Sequence, residues 1–168
     1  MDIQPDEDDG LFALDPLEVV ERVLSQENLV FDRTEDGEVA VTLTGDWKDY
    51  ELWFAWRPEA DCLQLYLSMD LKVGAERKPA AHELLSLINP RVWLGHFELW
   101  GDEGEIVFRH ALGLPDGERQ TPAQAASMID AAMEAADRFY PAFDFLIAGA
   151  KTPKDAMDAC LFETVGEA

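Results

Sequence analysis

Basic residues are scarce in this chain. Its 168 residues hold 13 Lys and Arg against 35 Asp and Glu, for a formal charge of −22. Nucleic acid and anionic lipid are bound through an excess of Lys and Arg, so this field repels both. The charge suits solubility, and it favours a partner that brings Lys and Arg of its own. Cysteine is nearly absent. Cys62 and Cys160 lie far apart, outside any metal or redox spacing, and each reads as a small buried hydrophobe. No apolar run approaches the roughly 20 residues that a membrane span needs. The start, Met1 to Asp6, has neither a basic region nor an apolar stretch, so no secretory signal is expected and the cytoplasm is the default location. A phosphate loop is missing too: Gly113-Leu114-Pro115-Asp116-Gly117 lacks the Walker lysine and reads as a turn.

Hydrophobic residues, by contrast, make up 48% of the chain, enough for one domain with a real core. Residues 1–14 read as a flexible acidic tail, since Asp2, Asp6, Glu7, Asp8 and Asp9 crowd its start. Residues 15–150 read as a single α+β domain, and 151–168 as a C-terminal extension with a short helix over Pro153–Leu161.

The first helix opens at Asp15-Pro16-Leu17-Glu18, with a capping aspartate, a proline at the first position and an acid where a capping box wants one. Leu17, Val20, Val23 and Leu24 form its apolar stripe. A short segment, Leu29-Val30-Phe31, leads to an Asp36-Gly37 turn. Three alternating runs follow: Val39, Val41 and Leu43; Tyr50, Leu52, Phe54 and Trp56; Leu63, Leu65, Leu67 and Met69. Strands so close in sequence pair as an antiparallel meander. A second helix covers Ala80–Leu87 and stops at Asn89-Pro90. A hairpin runs from Trp93 to Leu112 and turns at Asp102-Glu103-Gly104. A long helix then starts at Thr121-Pro122-Ala123-Gln124, carries Pro141, which should bend it near Asp137, and ends near Gly149. The expected architecture is an antiparallel sheet of about five strands with helices packed on one face, in the order α-β-β-β-α-β-β-α.

That order resembles type III secretion chaperones, whose fold is a compact, homodimer-prone unit. The residues resemble the YbjN family more specifically, whose members are described as bacterial sensory transduction regulators. The features shared are Leu87-Ile88-Asn89, Gly95-His96-Phe97, Asp102 and Gly104, Val107-Phe108-Arg109, Thr121, and Asp137 followed by Pro141, over roughly residues 15 to 148. The resemblance implies a regulatory or binding protein with no catalytic residues and no cofactor to carry over. It also implies a homodimer, and a dedicated client chaperone is the neighbouring reading.

Where the helix-facing side of the sheet holds Leu52, Phe54, Trp56, Leu63, Leu65 and Leu67, the other side receives Trp53, Tyr66 and Gln64. In the hairpin, His96, Glu98 and Trp100 share one face, opposite Phe97 and Leu99. Sheets covered on one side normally show polar residues to water, so aromatics there suggest a protein interface. Arg109 is placed to pair with Glu98 or to hold an acidic group of a partner. His96 and His110 are expected opposite one another across the hairpin. With nearby acids they are the candidates for a metal-dependent hydrolase, although a metal needs three or four converging ligands and structural histidines are far commoner.

Overall fold

Asp15 accepts a hydrogen bond from the Leu17 amide at 3.0 Å and starts helix α1, Pro16–Gln26. Leu17, Val19, Val20, Val23 and Leu24 bury its inner face. At roughly 1.5–3 kcal/mol for each side chain, that burial rather than propensity holds so short a helix. The computed structural model describes residues 15–149 and 152–165, with side chains up to Phe162. The acidic segment 1–14 lies outside the described residues.

Six strands follow the expected meander and hairpin: β1 (Phe31–Arg33), β2 (Val39–Thr44), β3 (Asp49–Arg57), β4 (Cys62–Lys72), β5 (His96–Trp100) and β6 (Glu105–Gly113). They form one sheet in the order β1-β2-β3-β4-β6-β5, with every neighbouring pair antiparallel. The expected count was about five. The additional strand is β1, where the apolar triplet Leu29-Val30-Phe31 contributes only Phe31 and pairing continues through the polar Asp32 and Arg33. Three residues carry too little periodicity to be read as a strand. The hairpin strand β5 starts at His96 rather than Trp93, because residues 93–95 bend.

Helix α2 spans Lys78–Ile88, somewhat longer than expected, and passes directly into a single 3-10 turn at Asn89–Arg91. Asn89 keeps helical angles although it precedes a proline, so the stop is set by the tighter turn and not by an extended residue. Helix α3 runs from Pro122 to Ile147 through Pro141. Its start is a complete capping box: the Gln124 amide donates to the Thr121 hydroxyl at 3.1 Å, and the Thr121 amide to the Gln124 side chain at 2.8 Å. Helix α4, Pro153–Val165, is four residues longer than the stretch expected from the sequence, which ended at Leu161. It buries Ala156, Met157 and Cys160, and the Cys160 thiol donates to the Arg138 carbonyl of α3 at 2.9 Å.

The helices share one face of the sheet, and the core lies between. Phe97 is at its centre, with edge-to-face contacts to Phe108, Phe139 and Phe143 at 5.4, 6.1 and 5.1 Å. The loop joining β5 to β6 is held against the end of β4: the Val73 amide donates to the Gly104 carbonyl at 2.9 Å. A side chain at Gly104 would meet the Val73 carbonyl at 2.4 Å, and φ is +69° there, so only glycine fits.

Candidate protein interface

Among the described residues, no helix lies over the opposite face of the sheet. The strand register lays one row of side chains across all six strands: Asp32, Ala40, Trp53, Tyr66, Arg109 and His96. Beside that row, Ala55 pairs with Gln64, Val107 with Glu98, and Trp100 with Glu105. All seven residues expected at an interface therefore stand on this face: Trp53, Gln64, Tyr66, His96, Glu98, Trp100 and Arg109.

Three of them pack together. The Trp53 and Tyr66 rings stack at 5.4 Å, and Trp100 meets them edge-on at 6.2 and 5.1 Å. Each such contact adds about 0.5–1.5 kcal/mol beyond its buried area. The three rings cover Ala55 and Val107, which are buried although no other described element lies above them, and Tyr66 itself is only 6% exposed. Trp53 and Trp100 keep part of their surface in water. The Tyr66 hydroxyl donates to the Gln64 side chain.

Glu98 organises the polar side of the cluster. Its carboxylate accepts from the Trp100 indole at 2.6 Å and pairs with the Arg109 guanidinium at 2.7 Å. The His96 Nε2 atom lies 2.6 Å from the same carboxylate. Part-burial raises the Glu98 pKa, but the Trp100 and His96 hydrogen bonds and the Arg109 charge outweigh it and hold the group below the ordinary carboxylate range. The Arg109–Glu98 pair foreseen from the sequence is therefore present. Cys62 lies at the end of β4, where burial pushes its thiol up despite Arg109, making it a poor nucleophile.

The two histidines do not come together. His96 is across from Arg109, and His110 is across from Leu65 of β4. Adjacent strand residues point to opposite faces, so His110 lies on the helix side while His96 lies on the open side. Burial, and then the His96 charge, lower the His110 pKa. The observed register differs by one position from the one that would set them opposite each other. Among the described residues, no group of three or more His, Cys, Asp and Glu is arranged to hold a metal ion. The pairing that a metal-dependent hydrolase would use is not formed.

Some contributors escaped the sequence reading. The Asn89 side chain bonds both backbone groups of Phe97, accepting from its amide at 2.8 Å and donating to its carbonyl at 3.1 Å. Phe97 thus turns its polar groups away from β6, and Asn89 takes the place of a neighbouring strand on the β5 edge. Trp93 and Leu94, in the loop just before β5, are among the most exposed large apolar side chains, Trp93 at 96%. They border a small groove against Ala131, Glu134, Ala135 and Arg138 of α3. Nothing in the local pattern separated these exposed residues from core ones.

The YbjN family model, described as "Putative bacterial sensory transduction regulator", matches residues 16–145. The fold is similar to the crystal structure of YbjN from E. coli, titled "a putative transcription regulator". That match has a TM-score of 0.53 at 12% identity and covers 72% of this chain and 85% of that one. It is also similar to a chain in the crystal structure of the ExsC-ExsE complex, with a TM-score of 0.50 at 13% identity, covering 73% of this chain and 89% of that one. At these identities the two structures speak to fold, and they agree with the type III secretion chaperone-like arrangement. A search of curated proteins returned no significant match. No helix among the described residues is long and apolar enough to cross a membrane. With the match spanning most of the domain, the chain belongs to the YbjN family.

Proposed function

We propose that this chain is a non-enzymatic regulatory protein of the cytoplasm that works by binding another protein on the open face of its sheet. The observation that carries the reading is the aromatic cluster of Trp53, Tyr66 and Trp100, its tryptophans part-exposed on a face that no described helix covers. Rigid aromatic side chains supply much contact area at low entropic cost, and they dominate binding hot spots. The polar frame of Gln64, His96, Glu98 and Arg109 then gives orientation. A neighbour in fold was solved as the ExsC-ExsE complex, which favours a protein as the ligand class and keeps a dedicated client chaperone as the second reading. A gene remote from any secretion locus would remove that second reading.

The homodimer implied by the chaperone-like fold has a separate surface available, the exposed Trp93 and Leu94 beside β5. The test of the main reading is capture of binding proteins by the full chain, compared with Trp53→Ser/Tyr66→Ser and, in case that variant unfolds, Trp100→Ser alone. Specific partners identified by mass spectrometry should be lost from folded variants. Capture that survives in both refutes the face as the binding surface.

A further inference from the structure

The aromatic cluster does not stand alone on the open face. Beyond Trp53 a groove lies over β1 and β2, lined by Val30, Asp32, Ala40, Thr42 and Glu51 among others. Its floor is low because Ala40 and Thr42 are small. Across the strands Ala40 stands between Asp32 and Trp53, and Thr42 stands opposite Glu51. Val30, 86% exposed, gives the groove an apolar wall.

Charge on the face is unevenly spent. Toward β5 and β6 Glu98 is neutralised by Arg109, and at the start of β2 Glu38 is within 3.5 Å of Arg57 at the end of β3. Asp32 and Glu51 are both exposed and form no ion pair among the described residues, and no Lys or Arg lines their groove. The face is therefore anionic at the β1 end, aromatic in the middle and occupied by Arg109 and His96 at the other end. A cation is drawn most strongly to the β1 end, whose carboxylates are unpaired, and less to the β5–β6 end, where Arg109 already offsets Glu98.

We infer that the occupant of this face is an extended, cationic segment of a partner protein, with a Lys or Arg side chain between Asp32 and Glu51 and an apolar side chain on the exposed parts of Trp53 and Trp100, over Tyr66. This rests on the open face being the binding surface, as proposed above. The formal charge of −22 speeds the approach of such a segment and opposes a second copy of this chain. The row sets its spacing. Asp32 and Tyr66, over which Trp53 and Trp100 meet, are three strand positions apart, about 14 Å at roughly 4.8 Å for each step, which an extended chain covers in about four residues. The cation and the apolar anchor are thus about four residues apart, and the cation can also lie against the free face of Trp53.

The probe is a labelled, end-blocked heptapeptide, Arg-Ser-Arg-Ser-Ser-Ser-Phe, with a version carrying Glu in place of Arg. Fluorescence anisotropy with the full chain measures both. The Arg peptide should bind and the Glu peptide should not. Asp32→Asn/Glu51→Gln should weaken the Arg peptide about tenfold, from two lost charge contacts. Asp130→Asn/Asp144→Asn on α3, with the same change in net charge, should stay within about twofold. Absence of Arg-peptide binding, equal binding of the Glu peptide, or equal weakening by the α3 variant overturns the inference. Trp53→Ser/Tyr66→Ser separates the two ideas. Loss of binding there with none in Asp32→Asn/Glu51→Gln keeps the aromatic face and removes the cationic occupant. Loss only in Asp32→Asn/Glu51→Gln keeps the groove and removes the aromatic face. A dimer in sedimentation that Trp53→Ser/Tyr66→Ser dissolves, with no peptide bound, assigns the face to a second copy and overturns the proposal.

Discussion

Pro141 has no amide hydrogen, so the Asp137 carbonyl one turn earlier lacks its helical donor. The Trp47 indole supplies one from outside the helix, donating to that carbonyl at 2.9 Å, while its ring stacks on Tyr140 with centroids 6.2 Å apart. The Asp46 amide donates to the Asp137 carboxylate at 2.9 Å, so the turn between β2 and β3 is fastened to the gap that proline opens. Trp47→Phe keeps an aromatic ring and removes the donor. Trp47 is 53% exposed, so water reaches the carbonyl and the cost should be the net value of one hydrogen bond, about 1 kcal/mol. In a Pro141→Ala background the new amide can donate to Asp137, and the same change should cost roughly 0.3 kcal/mol or less, because the carbonyl is then satisfied within the helix. The coupling between the two positions is thus about 0.7–1 kcal/mol, above the error of additivity for independent sites. Urea denaturation followed by circular dichroism at 222 nm, with a common m-value, measures all four proteins. Equal cost of Trp47→Phe in both backgrounds would refute the account, and so would a neutral Trp47→Phe in the natural sequence.

Other outcomes follow from the same structure. Asn89→Leu strands the amide and carbonyl of Phe97 and should cost about 1–3 kcal/mol. It should also introduce concentration-dependent association through the exposed β5 edge, read by light scattering; unchanged stability and unchanged scattering would contradict the edge-plug role. His110 has a depressed pKa in the folded chain, caused first by burial. The unfolded chain binds more protons, so stability falls as pH drops through about 6.5, and His110→Gln should flatten the stability curve between about pH 7.5 and 5.5. Glu98 is also depressed, so its contribution is present above the unfolded pKa of about 4.5 and is lost as pH falls through the lower folded value. Glu98→Gln should therefore be less stable than wild type near pH 7 and converge with it in acid; a constant difference down to about pH 3 would show that Glu98 contributes through packing alone.

The elements that the sequence made readable are those in which several local signals agree. Thr121 and Gln124 form the expected capping box, and the alternation through Leu52, Phe54, Leu63 and Leu65 places the helix face correctly. With that face known, Trp53, Tyr66 and Trp100 necessarily fall on the other. Features that depend on tertiary contacts rather than on local pattern were not readable. The Asn89 amide bridges to Phe97, Trp47 reaches Asp137 ninety residues on, and the groove beside Asp32 exists only because β1 pairs with β2. The error over His96 and His110 is of the same kind. Each residue was read correctly as part of a strand, but the pairing that decides its neighbours is set by the whole sheet.

Family features that looked like simple punctuation also acquire jobs. Gly104 allows the hairpin loop to touch Val73, and Asp137 followed by Pro141 marks the place where the β2–β3 turn is latched to α3.

Val107 and Ala55 are dry on a face that no described layer covers, because Trp53, Tyr66 and Trp100 lean over them. The consequence is colloidal. A sheet face with three large rings standing free would draw copies together in a crowded cell, whereas this one rests partly closed and offers only what remains of its tryptophan surfaces. The partly closed arrangement is held by ring contacts within the face, so it needs no second chain to keep Ala55 and Val107 dry.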